Sequence, residues 1–176
     1  MKIAFIGKLC SGKSYAAKYL KDHYGYEILS FGGPVKKYAS EIFNLKHKDR
    51  QIIQDFAQLL KKIDKDVWVD YLLRDLENIN SQYIVIDDLR FHNEQEALKK
   101  KGFIFIKLSI EPELQEERIE KTYLENKNIH LNRRNDISEI YTDELEFDHE
   151  IKINKSNENT LTDFIVKIIS NIKDNT

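Results

Sequence analysis

The chain has 176 residues, of which 41% are hydrophobic and 33% are charged, and its formal net charge is −2. A chain of this length is expected to fold as one domain with a sizeable core. Its nearly balanced charge argues against polymeric nucleic acid as the main partner, because proteins that bind nucleic acid carry a basic excess or stripe. We find no apolar run as long as a membrane span and no pattern typical of a secretory signal. Cys10 is the only cysteine, which excludes an intrachain disulfide and a cysteine-rich zinc site, so we expect a cytoplasmic protein.

The first half of the chain predicts two strands and four helices. Short apolar runs indicate buried strands, and apolar residues spaced three or four positions apart indicate helical faces. In chain order, the predicted elements are a strand over 2–6, a helix over 14–20 that stops at Gly25, a strand over 26–31, a turn at 32–34, a helix over 35–43 with Pro34 at its first position, a helix over 50–63 and a further helix capped by Asp64.

The second half predicts three more strands that alternate with helices. Strands alternating with helices imply a parallel sheet, and ligands of such sheets bind beyond the carboxyl ends of the strands. In chain order, the predicted elements are a strand over 82–87, a helix over 93–101 that stops at Gly102, a strand over 103–108, a charged helix over 111–124, a polar basic loop over 126–135, a strand over 147–153, a polar turn over 154–159 and a closing helix over 161–172.

Residues 7–14 match the pattern G-x-x-x-x-G-K-[ST] and lie between the first predicted strand and the first predicted helix. In this motif, backbone N–H groups surround the phosphates of a nucleotide, the lysine reaches the β- and γ-phosphates, and the hydroxyl ligates Mg²⁺. The helix N-terminus favours the same anions. A glycine turn without a ligand is the alternative, but such a turn needs neither Lys13 nor Ser14. The motif therefore predicts ATP and Mg²⁺ as cofactors, bound by Gly7, Lys8, Leu9, Cys10, Ser11, Gly12, Lys13, Ser14 and Tyr15.

Two acids and an arginine follow the strand predicted over 82–87. A carboxylate from Asp87 or Asp88 would hold Mg²⁺ through water, opposite the loop hydroxyl. Adjacent strand residues point to opposite faces, so the residues alone leave open which acid does this. Arg90 is suited to bidentate contact with phosphate oxygens, and its alternative is a surface ion pair with Glu94.

Three arginines lie late in the chain, in a segment predicted over 118–140. A lid-like loop that closes over the nucleotide and brings arginines to the transferred phosphoryl group would have this composition. An ordinary solvated loop would have it too. The arginines concerned are Arg118, Arg133 and Arg134.

Several stretches resemble, in order, the deoxynucleoside monophosphate kinases of bacteriophages and large DNA viruses, within the P-loop NMP kinase superfamily. Residues 7–14 match the nucleotide loop of that family, and residues 88–94 (DLRFHNE) match its D-V-R-F-P-N-E stretch. His92 stands where that family has proline, and Asp136 stands where it often has histidine. Three looser matches lie at residues 31–36 (its F-A-x-P-[LV]-K pattern), 50–54 (R-x-x-x-Q) and 66–68 (D-x-W). A further loose match, to the ending of that family, lies at residues 138–139, 147–148 and Asn154.

The resemblance implies a kinase that moves the γ-phosphate of ATP to a deoxynucleoside 5′-monophosphate, giving the diphosphate and ADP. It implies an α/β, three-layer P-loop NTPase fold with a central parallel sheet and helices on both faces. The chain would be a single kinase domain over 1–176, with an NMP-binding helical region at about 32–79 and a lid-like loop at about 118–140. The resemblance also favours Asp88 over Asp87 as the acid that serves Mg²⁺ together with Ser14.

The resemblance and the motifs together assign the site residues. The expected partners are small nucleotides, with no polymeric nucleic acid and no membrane, while a homodimer stays open. The expected location is the cytoplasm, that of the host if the chain is viral. The catalytic residues would be Lys13, Asp88, Arg90 and Arg134; Arg118 and Arg133 would join the loop in binding ATP; and the monophosphate would be bound by Phe31, Lys36, Arg50, Gln54, Trp68, Arg90 and Glu94.

Two other functions fit the same loop. One is a P-loop kinase for another small phosphate acceptor, such as dephospho-coenzyme A. Residues 31–36 and 88–94 argue against this function. The other is a non-kinase nucleotide-binding ATPase or switch, which usually carries partner or sensor elements that we do not find in this chain.

Overall fold

The structure is a computed structural model that describes residues 1–47, 49–124, 127–132 and 137–174. None of the helices in these ranges combines the length and the apolar character that crossing a membrane requires. Its elements, in chain order, are β1 (Lys2–Ile6), α1 (Lys13–Tyr24), β2 (Glu27–Leu29), α2 (Gly32–Ile42), α3 (Arg50–Ile63), α4 (Val67–Asn78), β3 (Ile84–Ile86), α5 (His92–Lys100), β4 (Phe103–Ile110), α6 (Pro112–Thr122), α7 (Lys127–Asn132), α8 (Ile137–Glu144), β5 (His149–Ile153), a 3₁₀ turn (Glu158–Thr160) and α9 (Leu161–Asp174).

The five strands form one parallel sheet in the order β2-β3-β1-β4-β5. The central strand is β1, whose Lys2 stands opposite Ile84 of β3 on one side and Phe103 of β4 on the other. The four residues after Lys2 are fully buried. Because an inner strand of a parallel sheet is covered on both faces, it reads as a continuous apolar run. The predicted parallel α/β sheet is confirmed.

Helices cover both faces of this sheet and form two separate cores. Phe5 of β1 packs with Leu20 of α1 and Ile165 of α9 on one face. Its neighbour Ile6 packs with Leu72 of α4 on the other face. Successive residues of a strand point to opposite faces, so one strand supplies both cores. The arrangement confirms the predicted three layers.

The polar loop predicted over 126–135 is helical where the structure describes it. Helix α7 (Lys127–Asn132) occupies most of that stretch, and residues 133–136 lie outside the described residues. The ring of His130 stacks on Tyr123, with 3.6 Å between the ring centroids, and His130 is buried. The prediction of a loop at 127–132 is therefore wrong, because tertiary packing stabilises a short helix whose sequence has no clear apolar face.

Helix α2 begins at Gly32, two residues ahead of Pro34, the predicted first position. The carboxylate of Asp88 accepts hydrogen bonds from the N–H groups of Phe31, at 2.9 Å, and Gly32, at 2.8 Å. The first amides of a helix have no partner within the helix, so a buried carboxylate beside them favours an earlier start. Pro34 thus lies inside the first turn.

The residue at the start of α4 also differs from the prediction. Asp66 occupies the N-cap position, whereas Asp64 ends α3. The Asp64 carboxylate accepts a hydrogen bond from the Asp66 N–H at 3.0 Å. Asp64 therefore shapes the turn between the two helices without capping the second one.

Candidate active site

The loop between β1 and α1 lies at the carboxyl edge of the sheet. Two of its positions require glycine, because a Cβ atom there would be strained or would collide with neighbouring atoms. Gly7 has a φ of +153°, and a Cβ there would lie 2.5 Å from the Leu108 carbonyl oxygen and 2.7 Å from Ser11 Oγ. Gly12 has a φ of +100° and immediately precedes α1. The two glycines of the motif thus allow a tight loop whose end is the N-terminus of a helix, which is the geometry that binds phosphate.

Lys13 reaches back across this loop. Its ammonium Nζ donates hydrogen bonds to the carbonyl oxygens of Gly7, at 2.6 Å, and Lys8, at 2.7 Å, and the residue is buried. Burial lowers the pKa of Lys13 to about 8, and the nearby positive charge of Arg90 acts in the same direction. The direct partners of this ammonium are neutral carbonyl oxygens, so its positive charge can pair with an incoming anion.

The structure places Asp87, and not Asp88, beside Ser14. The Ser14 hydroxyl donates a hydrogen bond to the Asp87 carboxylate at 2.6 Å. Asp88 points the other way, and its carboxylate accepts hydrogen bonds from the two N–H groups at the start of α2. Burial raises the pKa of this carboxyl. The expectation that Asp88 would lie beside the Ser14 hydroxyl is therefore wrong: successive residues at the end of a strand diverge, and the Asp88 carboxylate binds the start of α2.

The oxygens at this position are of the kind that Mg²⁺ prefers. Mg²⁺ is usually held by one or two protein oxygens together with waters and substrate phosphates. The Ser14 hydroxyl and the Asp87 carboxylate supply such oxygens side by side. No group of three His, Cys, Asp or Glu side chains able to hold a metal occurs among the described residues. The site therefore fits a Mg²⁺ ion that arrives with a nucleotide.

A pocket of about 310 Å³ opens between the ends of β2 and β3 and the helices α2 to α4. It combines aromatic walls with several cationic side chains. Lys61 and Phe91 also line it, and sequence reasoning missed both; the Lys61 ammonium lies 4.3 Å from the centre of the Phe91 ring. The pocket brings together five of the seven residues predicted to bind the monophosphate: Phe31, Lys36, Trp68, Arg90 and Glu94.

The other two predicted residues of this group lie on α3. Gln54 is exposed and does not line the pocket, because this helix turns it towards solvent. Arg50 begins the helix, but the position of its side chain lies outside what the structure describes. Lys61, from the same helix, lines the pocket instead.

Arg90 is held at both ends by buried carboxylates. Its backbone N–H donates to Glu94 at 2.9 Å, and its guanidinium Nη1 pairs with Glu139 of α8. The predicted alternative, an ion pair between Arg90 and Glu94, is therefore replaced by a main-chain contact. Glu139 also accepts the Leu9 N–H at 2.7 Å and was not assigned a role from the sequence. The only signal was the loose match at residues 138–139.

Glu94 predicts a pH dependence of stability. Burial raises the pKa of its carboxyl to about 7 from 4.5, against hydrogen bonds from the N–H groups of Arg90 and Phe91 that lower it. The folded protein therefore binds this proton more tightly than the unfolded chain. The resulting stabilisation is fully present below about pH 4.5 and is lost as the pH rises through about 7. We expect the free energy of unfolding to fall by about 2 kcal/mol between about pH 5 and about pH 8. The variant Glu94→Gln should lack this pH-dependent decrease, because its side chain does not titrate.

Urea unfolding of both proteins at the two pH values measures this difference. Glu96→Gln is a matched control, because Glu96 is exposed on the same helix, α5, and should leave the pH dependence unchanged. An equal pH dependence in wild type and Glu94→Gln would contradict the expectation.

A second pocket, of about 370 Å³, lies on the outer side of the nucleotide loop. It is lined by Tyr15 and Arg118, two of the residues predicted to bind ATP, together with Glu158 and Asn159 from the stretch predicted as a plain polar turn. Arg118 donates to the Cys10 carbonyl oxygen at 3.3 Å and pairs with Glu158 at 3.1 Å. Two residues of the turn at 154–159 thus line a pocket beside the nucleotide loop, which composition alone did not indicate.

The remaining predicted lid arginines, Arg133 and Arg134, lie outside the described residues. The segment predicted as a lid-like loop over 118–140 contains the end of α6, all of α7 and the start of α8. From this segment the structure brings Arg118 and Glu139 to the loop.

Comparison with known proteins agrees with this geometry. Residues 3–142 match the family described as "AAA domain". A protein from Acanthamoeba polyphaga mimivirus, described as "Putative deoxynucleotide monophosphate kinase", is 30% identical over 141 residues, which are 60% of this chain and 72% of the viral protein.

Solved structures of small-molecule kinases share the fold. Shikimate kinase from Acinetobacter baumannii superposes with a TM-score of 0.60 at 18% identity, covering 98% of this chain and 94% of that one. Dephospho-CoA kinase from Campylobacter jejuni gives a TM-score of 0.56 at 23% identity and covers 100% of both chains. The match to the family spans well over half of the chain, and the mimivirus relative is matched over more than two thirds of its own length. This chain belongs to the AAA domain family and is a phosphotransferase with the P-loop kinase fold.

Proposed function

We propose that this protein transfers the γ-phosphate of ATP to a deoxynucleoside 5′-monophosphate, giving ADP and the diphosphate. The observation that carries the proposal is the pocket of about 310 Å³ beside the nucleotide loop, where aromatic walls meet cationic side chains. Aromatic rings favour a base, and a guanidinium and ammonium groups favour a phosphate ester. The mimivirus relative, whose description names a deoxynucleotide monophosphate kinase, supports the same substrate class.

In this proposal the donor lies along the nucleotide loop. The loop amides and Lys13 bind the β- and γ-phosphates, and Arg118 borders the outer pocket that takes the rest of ATP. Ser14 and Asp87 would hold a Mg²⁺ ion, which would supply positive charge to the β- and γ-phosphates. Arg133 remains a predicted ATP ligand, and Arg134 remains a predicted catalytic residue.

The acceptor lies in the pocket across the sheet edge. Arg90 and Lys36 bind its phosphate, with Lys61 as a third cation, and Phe31 and Trp68 pack against the nucleoside. An acceptor phosphate oxygen attacks Pγ, the bond from Pγ to the β-phosphate bridging oxygen breaks, and ADP leaves. The attacking oxygen is already anionic, so no general base is required. The protein therefore acts by positioning the reactants and neutralising charge.

A substrate panel tests this function. We expect ADP formation with Mg²⁺ and ATP to be stimulated by at least one of the common deoxynucleoside monophosphates, assayed alongside the ribonucleoside monophosphates. Shikimate and dephospho-coenzyme A belong in the panel because the fold is shared with their kinases. Stimulation by either of these alone would assign another acceptor. If no acceptor raises ATP consumption above that of the protein alone, the proposed kinase activity is wrong.

A further inference from the structure

Glu139 joins the two halves of the site through one carboxylate. It lies near the start of α8 and is 4% exposed. One oxygen, Oε2, accepts a hydrogen bond from the N–H of Leu9 in the nucleotide loop at 2.7 Å. The other, Oε1, pairs with Nη1 of Arg90, which lines the acceptor pocket. A single buried side chain therefore connects the donor loop to the acceptor arginine.

The loop end of this connection is rigid. Gln115 of α6 donates from Nε2 to the Leu9 carbonyl oxygen at 2.9 Å, and Gln115 is itself buried. Both polar backbone atoms of Leu9 are thus held by buried side chains from the segment that follows β4. The Glu139 backbone is fixed as well, because the buried Thr142 hydroxyl donates to its carbonyl oxygen at 2.7 Å. Glu139 consequently offers Arg90 a fixed anchor.

Arg90 needs such an anchor to present its guanidinium in one direction. Glu94 fixes its backbone N–H, whereas Glu139 pairs with its guanidinium. A long arginine side chain loses rotamer freedom when it binds a ligand, and an existing contact removes that loss from the binding step. The positive charge of Arg90 also acts on Lys13, and the negative charge of Glu139 opposes it. The carboxylate thereby supplies negative charge to both cations.

We propose that Glu139 is a positioning residue that holds the Arg90 guanidinium towards the acceptor phosphate by tying it to the nucleotide loop. The inference rests on the proposed transfer to a nucleoside monophosphate. Glu139 itself touches neither substrate. It fixes the spacing between the two phosphates that must react, which in-line transfer requires.

Glu139→Gln tests this role, because the amide oxygen still accepts the Leu9 N–H while the amide nitrogen cannot accept from Arg90. We expect the KM for the preferred deoxynucleoside monophosphate to rise, or kcat/KM to fall, by about 10- to 100-fold, the effect of losing a hydrogen bond to a charged group. The dissociation constant of ATP, measured by calorimetry, should change by less than about 2-fold, since the loop contact is retained. Glu144→Gln, an exposed change on the same helix, should alter neither quantity.

A double-mutant cycle separates positioning from general support of the fold. If Glu139 acts through Arg90, the double variant Arg90→Ala with Glu139→Gln should be no slower than Arg90→Ala alone. Additive losses, in enzyme that turns over, would overturn the inference and leave the proposed function intact. Wild-type protein that no acceptor stimulates would remove the proposed function and the inference with it.

A second variant keeps the test valid if Glu139→Gln does not fold. Glu139→Asp retains the charge, but its shorter side chain cannot reach the Leu9 N–H and the Arg90 guanidinium at once. We expect the same selective loss towards the monophosphate, with ATP affinity changed less than acceptor KM. An unchanged KM in folded Glu139→Asp would overturn the inference.

Discussion

Lys13→Ala is expected to lower ADP formation by at least about 100-fold, because the transferred phosphoryl group then lacks its nearest fixed cation. The Lys13 ammonium is buried over the nucleotide loop and donates to the carbonyl oxygens of Gly7 and Lys8. It lies where the motif places the β- and γ-phosphates. Charge stabilisation in a site shielded from water has a large effect on rate, so this change should have one of the largest effects in the chain.

Two measurements check this expectation. One is ADP formation with the preferred monophosphate, and the other is ATP binding by calorimetry. Lys18→Ala is the matched control, because Lys18 is an exposed lysine of the same helix whose ammonium pairs with Asp22 at 2.6 Å, one turn away. Lys18→Ala should retain wild-type turnover. Turnover retained by Lys13→Ala, in protein that unfolds at the wild-type temperature, would contradict the role of Lys13.

Asp87→Asn is expected to lower kcat by about 100-fold and to raise the Mg²⁺ concentration needed for half-maximal activity. Asp87 accepts the Ser14 hydroxyl at 2.6 Å and is the acid that faces the loop. An asparagine amide retains one oxygen but removes the negative charge that attracts the cation. The measurement is a Mg²⁺ titration of ADP formation at saturating ATP and monophosphate.

Asp88→Asn provides the comparison, because the two acids are adjacent and only one of them faces Ser14. The Asp88 carboxylate accepts hydrogen bonds from two N–H groups at the start of α2. The side-chain NH₂ of an asparagine would face one of these N–H groups, so one hydrogen bond would be lost. We therefore expect this variant to lose about 1–3 kcal/mol of stability while keeping the wild-type Mg²⁺ requirement. The reverse result, in which only Asp88→Asn raises the Mg²⁺ requirement, would return the metal role to Asp88.

The nucleotide loop could be predicted from the sequence because its determinants are local. Glycine at positions 7 and 12 supplies positive φ, and the residues that follow Gly12 are a lysine and a hydroxyl. Burial of β1 on both faces produces the apolar run that marks it as a strand. These features depend on residues within a few positions of each other, so a short stretch of sequence is enough to predict them.

The direction of the two acids could not be predicted, although both were identified. Alternation along a strand shows that Asp87 and Asp88 diverge, but it does not show which one faces the loop. Family resemblance favoured Asp88. The packing of α2 against the sheet edge turns Asp88 away from Ser14, because the N–H groups of Phe31 and Gly32 use its carboxylate as their acceptor.

The sequence by itself determined the parallel α/β fold and the nucleotide loop, since each of these follows from a short motif or from periodic burial, and a resemblance to a kinase family pointed to five residues that line the pocket of about 310 Å³. Only the tertiary structure decided that Lys61 enters that pocket, that Glu158 lines the pocket beside the nucleotide loop and that Glu139 links Leu9 to Arg90. Contacts between residues many positions apart depend on how helices pack on the sheet, and hydrophobic periodicity carries no information about which polar side chains then meet.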